Sequence, residues 1–296
     1  MRFLNPKTDF AFKKIFGSAQ SKSILIEFLN ALVYEGNPTI QDLEILDPYQ
    51  APQLKGIKDT FLDVKAKLDN ETTVLIEMQV LNPLDFSKRV LYNAAKAYSL
   101  QLQRGYGYSR LRPVIALTIT DFILFPERDR VISRYQFREQ GDCLPYGDDI
   151  ELIFVELPKF AKSVDDLETL ADRWLFFLQQ TGELEAVPPS FQDNPNLDQA
   201  FHIAETASLS PDELDILERQ AFFIEDSRNI VLKAAQESLQ EGLEQGLEQG
   251  LEQGLRQGVE QSRREIARSL LGVLPAAVIA EKTGLTVAEV EALAAE

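Results

Sequence analysis

The first part of the chain shows apolar residues at helical spacing. Phe12, Ile15 and Phe16 fall on one face of a short helix that follows Pro6, with Phe10 close by, and Gly17 is a natural end for it. A second apolar stripe predicts a helix from about 22 to 34. A proline-rich passage follows, with one short strand predicted near residue 45.

Residues 60–80 instead alternate between apolar and polar positions around Asp69-Asn70-Glu71, which predicts a β-hairpin with its turn there. If Leu68 faces Thr72, one side of the hairpin is continuously apolar. That side consists of Leu62, Val64, Ala66, Val74, Ile76 and Met78. The other side places Asp63 opposite Glu77, with Lys65, Lys67 and Gln79 alongside. A shift of the strand pairing by one residue would place Asp63 opposite an apolar residue and mix apolar with polar side chains on each side. Burial of the apolar side disfavours that shift.

The pattern after the hairpin predicts an amphipathic helix over 87–104, ended by the turn Gly105-Tyr106-Gly107. Buried or half-buried strands are predicted at 113–120, 134–138 and 150–157. Beyond Ser163 the pattern is helical, with a loop at Pro188-Pro189. This order of elements indicates a mixed α/β core followed by a helical C-terminal region.

A four-residue repeat, EGLEQGLEQGLEQGLRQGVEQ, occupies 241–261 and places Gly at every fourth position. A four-residue step turns a helix by about 400°, so its leucines drift around the helix and form no straight seam. Each glycine also costs about 1 kcal/mol relative to alanine. We interpret the repeat as a solvated, partly helical linker. The alternative is a self-associating helix whose glycines permit close backbone approach.

The last segment, 263–296, predicts two or three short helices, with Thr286 as an N-cap and Glu289 completing a capping box. It resembles a helix-turn-helix in outline, but its final helix lacks the side chains that read bases. A small packing or docking module is favoured. The predicted organisation is therefore a core at 1–160, a helical extension at 161–236, a linker at 237–262 and this module.

The composition limits the kinds of metal site and covalent cross-link that the chain can form. Cys143 and His202 are the only residues of their kinds, so one chain can build neither a disulfide nor a Cys/His zinc cluster. A bound metal must therefore have oxygen ligands, which favours Mg²⁺, with Mn²⁺ or Ca²⁺ as alternatives. No segment has the length and apolarity of a signal peptide or membrane span, so we expect a cytoplasmic protein.

The formal net charge of −17 argues against a polyanionic partner. Its distribution weakens that objection, because residues 1–125 carry 15 Lys and Arg against 13 Asp and Glu. The acidity belongs to the second half of the chain.

The two acids that face each other in the predicted hairpin are the strongest indication of a catalytic or metal-binding site. Two carboxylates on opposed strand positions repel each other unless a positive charge lies between them. A divalent cation would remove that conflict, and it could also activate water and stabilise charge at phosphorus. On spacing alone, the simpler interpretation is favoured, in which Asp63 and Glu77 are exposed residues on a hydrated sheet face.

Four phrases in order resemble the Rpn family of recombination-promoting nucleases and transposases, within the PD-(D/E)XK nuclease superfamily. They are KTDFAFKKIFG at 7–17, LDV at 62–64 with IEMQ at 76–79, RVLYNAAKAYSLQL at 89–102, and YSRLRPVIALTITDFILF at 108–125. The resemblance covers about residues 1–160. It implies a restriction-endonuclease-like mixed sheet flanked by helices.

The resemblance also implies roles for single residues. Asp63 is the metal-binding aspartate, Glu77 is the acid of the E-x-K motif, and Gln79 stands at its lysine position. Asp9 matches a helical acid that can add a metal ligand. Lys65 could replace the missing lysine charge, since the predicted hairpin puts it on the same face as Asp63.

Arg89 and Tyr92 are candidates for contacting the nucleic-acid backbone, although a structural role explains each as well. The leading hypothesis is a Mg²⁺-dependent DNA endonuclease with a recombination or transposon-like role. The alternative is a catalytically weak nuclease-fold accessory protein that assembles, as a homo-oligomer, through its repeat and C-terminal helices.

Overall fold

The computed structural model describes residues 3–50, 60–102, 105–206 and 209–295. The strands are β1 Leu43–Leu46, β2 Tyr49–Gln50, β3 Thr60–Phe61, β4 Val64–Leu68, β5 Thr73–Gln79, β6 Val114–Thr120, β7 Ile132–Tyr135 and β8 Ile150–Glu156. The helices are α1 Asp9–Phe16, α2 Lys22–Leu32, α3 Phe86–Ser99, α4 Leu170–Gln180, α5 Pro195–Ala204, α6 Pro211–Leu270, α7 Ala276–Thr283 and α8 Val287–Ala295. Contacts divide the chain into two compact units, Met1–Arg228 and Asn229–Glu296.

The first unit contains a six-stranded mixed sheet in the order β1-β4-β5-β6-β8-β7, and β2 pairs with β3 separately. The central strands β5, β6 and β8 run parallel, while β1, β4 and β7 are antiparallel to their neighbours. Every residue of β6 is buried, as expected for a central parallel strand covered on both faces. The predicted α/β core is thus confirmed.

Helices cover both faces of the sheet. On one face α1, α2, α4 and α5 enclose the larger apolar cluster, in which the indole of Trp174 packs against the rings of Phe16, Phe28 and Phe177. On the other face α3 covers a smaller cluster, with Val90 and Ala94 against Leu75 of β5. Successive residues of β5 therefore point into different clusters, as the pleat of a strand requires.

The hairpin is confirmed in the predicted register from Val64, which pairs with Ile76, to Lys67, which pairs with Thr73. Two details of the prediction were wrong. Asp63 lies in a bend just before β4, and the bend breaks the alternation, so Leu62 joins the α3 cluster and does not continue the Val64 side. On the opposite side α3 buries Leu75, whereas Lys65, Lys67 and Gln79 stay partly exposed.

The other elements follow the predictions with shifted ends. The helix predicted over 87–104 ends at Ser99, and residues 103–104 lie outside the described part of the chain. The strand predicted at 134–138 occurs two to three residues earlier, as β7. Within the described residues, no helix combines the length and the apolarity needed to cross a membrane.

The second unit contains the C-terminal part of α6 together with α7 and α8. Ala267, Ile279 and Val290 form its small core. The predicted capping box is present, since the Thr286 amide donates to the Glu289 carboxylate and the Glu289 amide donates to Thr286 Oγ1. The repeat at 241–261 is helical throughout rather than partly, and every residue in it is exposed. The boundaries of the four predicted segments stay predictions.

Candidate active site

A groove of about 430 Å³ opens at the carboxyl end of β5, within the first unit. Its polar lining includes Asp9, Asp63, Glu77 and Gln79, and part of its wall is formed by the first turns of α6. Four predicted site residues therefore face one groove, although they come from the start of α1, the bend before β4 and the end of β5.

Local structure fixes the direction of each acid. Asp9 opens α1 directly after its N-cap, Thr8. The bend turns Asp63 toward β5, where its Oδ2 accepts a hydrogen bond of 2.7 Å from the Met78 amide. Glu77 and Gln79 are two residues apart on β5, so they project to the same side of the sheet.

Asp9 and Asp63 form a closely spaced acid pair, since the Lys13 ammonium lies near both carboxylates and each acid affects the pKa of the other. Burial and the neighbouring Asp9 raise the pKa of Asp63 to about 8. Burial by itself would raise the pKa of Asp9, but its interactions with Asp63 and Lys13 outweigh that effect and lower the pKa. The pair therefore shares one proton or needs a cation beside it.

Lys13 supplies a positive charge next to this pair. Its Nζ lies 2.6 Å from Asp9 Oδ1 and 3.6 Å from Asp63 Oδ1. The sequence interpretation missed Lys13, although its position four residues after Asp9 puts both on one helix face.

Arg89 holds the other half of the site together. Its Nη2 donates to Glu77 Oε1 at 2.5 Å and to Gln79 Oε1 at 2.6 Å, while the Gln79 amide nitrogen donates to the Leu81 carbonyl at 2.9 Å. Burial raises the pKa of Glu77 against the opposing effect of Arg89. Arg89 thus contacts the predicted motif directly, and its guanidinium also lies 4.9 Å from the Phe86 ring centre.

Two further candidates lie apart from these contacts. No hydrogen bond or ion pair of the described residues joins Lys65 to Asp63 or Glu77; burial lowers the pKa of Lys65, and Asp47 is the charge that acts on it. Tyr92 is 41% exposed on α3, so its ring is available to a ligand.

The α6 wall was also missed by the sequence interpretation. Gln220 accepts a hydrogen bond from the Phe10 amide at 3.1 Å and donates to Asp9 Oδ2 at 3.5 Å. Arg219, Phe223 and Ile224 line the same groove. No local sequence signal links residue 220 to residue 9, because the contact is created only when α6 packs on α1.

The donor set suits a hard divalent cation in its chemistry, since it consists of carboxylate and amide oxygens. Among the described residues, no three His, Cys, Asp or Glu side chains already form a cluster that could hold a metal. Asp9 and Asp63 are adjacent, whereas Glu77 is engaged by Arg89. The close pair of acids, of which Asp63 is largely buried and Asp9 is exposed, is the observation that fits a cation here, because a cation would relieve its repulsion.

A mixed sheet between two helical layers, with this acidic groove at its strand ends, defines an α/β fold of the PD-(D/E)XK type. The chain belongs to a family described as PD-(D/E)XK nuclease family transposase, whose model matches residues 6–234. The match confirms the superfamily that the sequence motifs implied. No curated protein and no solved structure is significantly similar to the chain.

Proposed function

We propose that the protein is a metal-dependent DNA endonuclease that hydrolyses phosphodiester bonds. The observation that carries the proposal is that Asp9, Asp63 and Glu77 line one groove in a chain of a nuclease family. Burying acids in this groove is costly unless positive charge lies beside them, and a bound cation would add to the charge that Lys13 and Arg89 supply.

Asp63, Glu77 and Asp9 would hold the metal, and Mg²⁺ is the ion that we propose, with Mn²⁺ or Ca²⁺ as alternatives. When bound, the ion supplies an activated water and stabilises charge on the phosphate. Gln79 uses its oxygen and one amide hydrogen in the contacts with Arg89 and Leu81. Its second amide hydrogen remains to orient a water.

DNA is the proposed substrate, because basic side chains surround the acidic groove. Lys7 and Arg219 line it, and Lys13 and Arg89 contact its acids. Together with Tyr92, Arg89 would contact the sugar–phosphate backbone. Since residues 1–125 carry a net charge of only +2, binding should be modest and should weaken steeply with salt. Membership of a transposase family supports a role in recombination or transposon-like events.

The test compares plasmid nicking by wild type, Asp63→Ala and Glu77→Ala in Mg²⁺, Mn²⁺ and EDTA. We expect nicking only by the wild type with metal, and a loss of at least about 100-fold in either variant. Lys22→Ala is the matched control, because Lys22 pairs with Asp42 away from the groove. Nicking that survives either acidic substitution removes the assignment.

The repeat supports a second candidate function, which is assembly. Residues 228–266 of α6 are exposed along their whole length, including Leu243, Leu247 and Leu251. An exposed helix with five glycines is poorly stabilised by propensity alone, so self-association, in which a second copy of the chain would cover the helix, is the alternative to a solvent-exposed linker. Light scattering of the full chain over a dilution series tests this; a monomer at every concentration excludes it.

A further inference from the structure

The motif lysine of the superfamily is absent from β5, yet the site retains an ammonium group in a different place. Gln79 at the motif position is neutral, and both polar ends of its side chain have protein partners. It therefore cannot supply the positive charge that a lysine would bring. Among the predicted residues, Lys65 was the candidate for this role, but it contacts neither Asp63 nor Glu77 in the described structure.

Lys13, unlike Lys65, places its ammonium group beside the acids of the groove. Its Nζ contacts Asp9 at 2.6 Å and lies 3.6 Å from Asp63, so the charge is beside the acids that face the groove. Its side chain is 42% exposed, whereas that of Asp63 is 12% exposed. A ligand that approaches the acids from solvent can therefore reach the ammonium group.

The helix fixes this position. Asp9 and Lys13 are one turn apart on α1, and buried Phe12 and Phe16 anchor the helix in the larger apolar cluster. The neighbouring Lys14 points elsewhere and pairs with Glu213. Lys13 therefore faces the acids, and a substitution of Lys14 provides the matched control.

We infer that Lys13 is a further catalytic residue, whose ammonium group contacts the scissile phosphate and supplies the charge that Gln79 lacks. The inference rests on the proposed nuclease function and specifies which side chain of that site touches the substrate. A fixed ammonium group in a half-buried site stabilises developing phosphate charge more strongly than one in water does.

The experiment uses the full chain with Lys13→Gln, Lys13→Arg and Lys14→Gln. Nicking at saturating Mg²⁺ should fall by about 100-fold in Lys13→Gln, recover at least partly in Lys13→Arg, and stay within about twofold of wild type in Lys14→Gln. A second readout needs no metal: fluorescence anisotropy of a labelled DNA duplex in EDTA. Lys13→Gln should weaken binding and lower the slope of log affinity against log salt by about one, and circular dichroism should show an intact fold.

Full nicking by Lys13→Gln overturns the inference but leaves the nuclease assignment intact. Recovery of its rate by excess Mg²⁺ also overturns the inference, because Lys13 would then act only on metal binding. An unchanged salt slope excludes the phosphate contact. A wild-type chain that cleaves no DNA with any of the three metals removes the proposed function and this inference together.

Discussion

Alanine substitutions at the five repeat glycines test whether the repeat in α6 is a solvent-exposed helix that contacts no other helix. Gly242, Gly246, Gly250, Gly254 and Gly258 all lie inside α6, and a Cβ at any of them would meet no atom within 4 Å. The added methyl groups therefore cause no clash within the chain. Since alanine is favoured over glycine by about 1 kcal/mol per helical position, the fivefold variant should stabilise the helix by about 4–5 kcal/mol.

Thermal unfolding of the full chain, followed by far-UV circular dichroism, measures this effect. The transition of the second unit should move to higher temperature in the fivefold variant, and Gly250→Ala alone should give about one fifth of the gain. Ala235→Gly is the matched control, because Ala235 is also an exposed residue of α6. It should destabilise the helix by about 1 kcal/mol.

A lower unfolding temperature in the fivefold variant would refute this reasoning. The glycines would then be contact positions against another helix, where added methyl groups hold the backbones apart. Light scattering of the same variant would show dissociation in that case. The sign of the shift therefore separates an exposed helix from a self-associating one.

Two other substitutions test the acid pair and the C-terminal cap. Because the pKa of Asp63 rises from 3.8 to about 8 in the folded protein, its contribution to stability is greatest below about pH 4 and falls as the pH rises toward about 8. Metal-free Asp63→Asn should therefore become increasingly more stable than wild type between about pH 5 and 8 in thermal melts, whereas parallel curves would contradict the raised pKa. Thr286→Ala should destabilise the second unit by about 1 kcal/mol in urea unfolding, because Thr286 Oγ1 caps the Glu289 amide at 3.3 Å. Thr286→Ser should be nearly neutral, and an equal loss in both variants would show that the cap hydrogen bond is not the cause.

The hairpin shows how far alternation in a sequence can predict a site. The apolar residues of β4 and β5 fixed a register that places Val64 opposite Ile76, because any slip would expose the core side. Alternation could not reveal the bend at Asp63, which depends on a hydrogen bond to a backbone amide fifteen residues away. Asp9, Asp63, Glu77 and Gln79 still face one groove, but Asp63 reaches it from a bend rather than from a strand.

Other features depend on contacts that no local pattern encodes. Arg89 joins Glu77 to Gln79 only because α3 packs on that face of the sheet. Glycine propensity favoured a partly helical linker at 241–261, whereas the helix continues through every glycine. Lys13 differs from these, since its spacing from Asp9 was visible in the sequence.

The Arg89 guanidinium, which donates to both Glu77 and Gln79, links the groove to the packing of α3 against the sheet. A cation held by the Glu77 carboxylate would compete with Arg89 for that carboxylate, and Arg89 is part of what holds α3 against β5. Occupancy of the groove and attachment of the helix are therefore linked, and each must change the other's free energy by the same amount. Hydrogen exchange along α3 would consequently report ion binding even in a variant that cannot cleave anything.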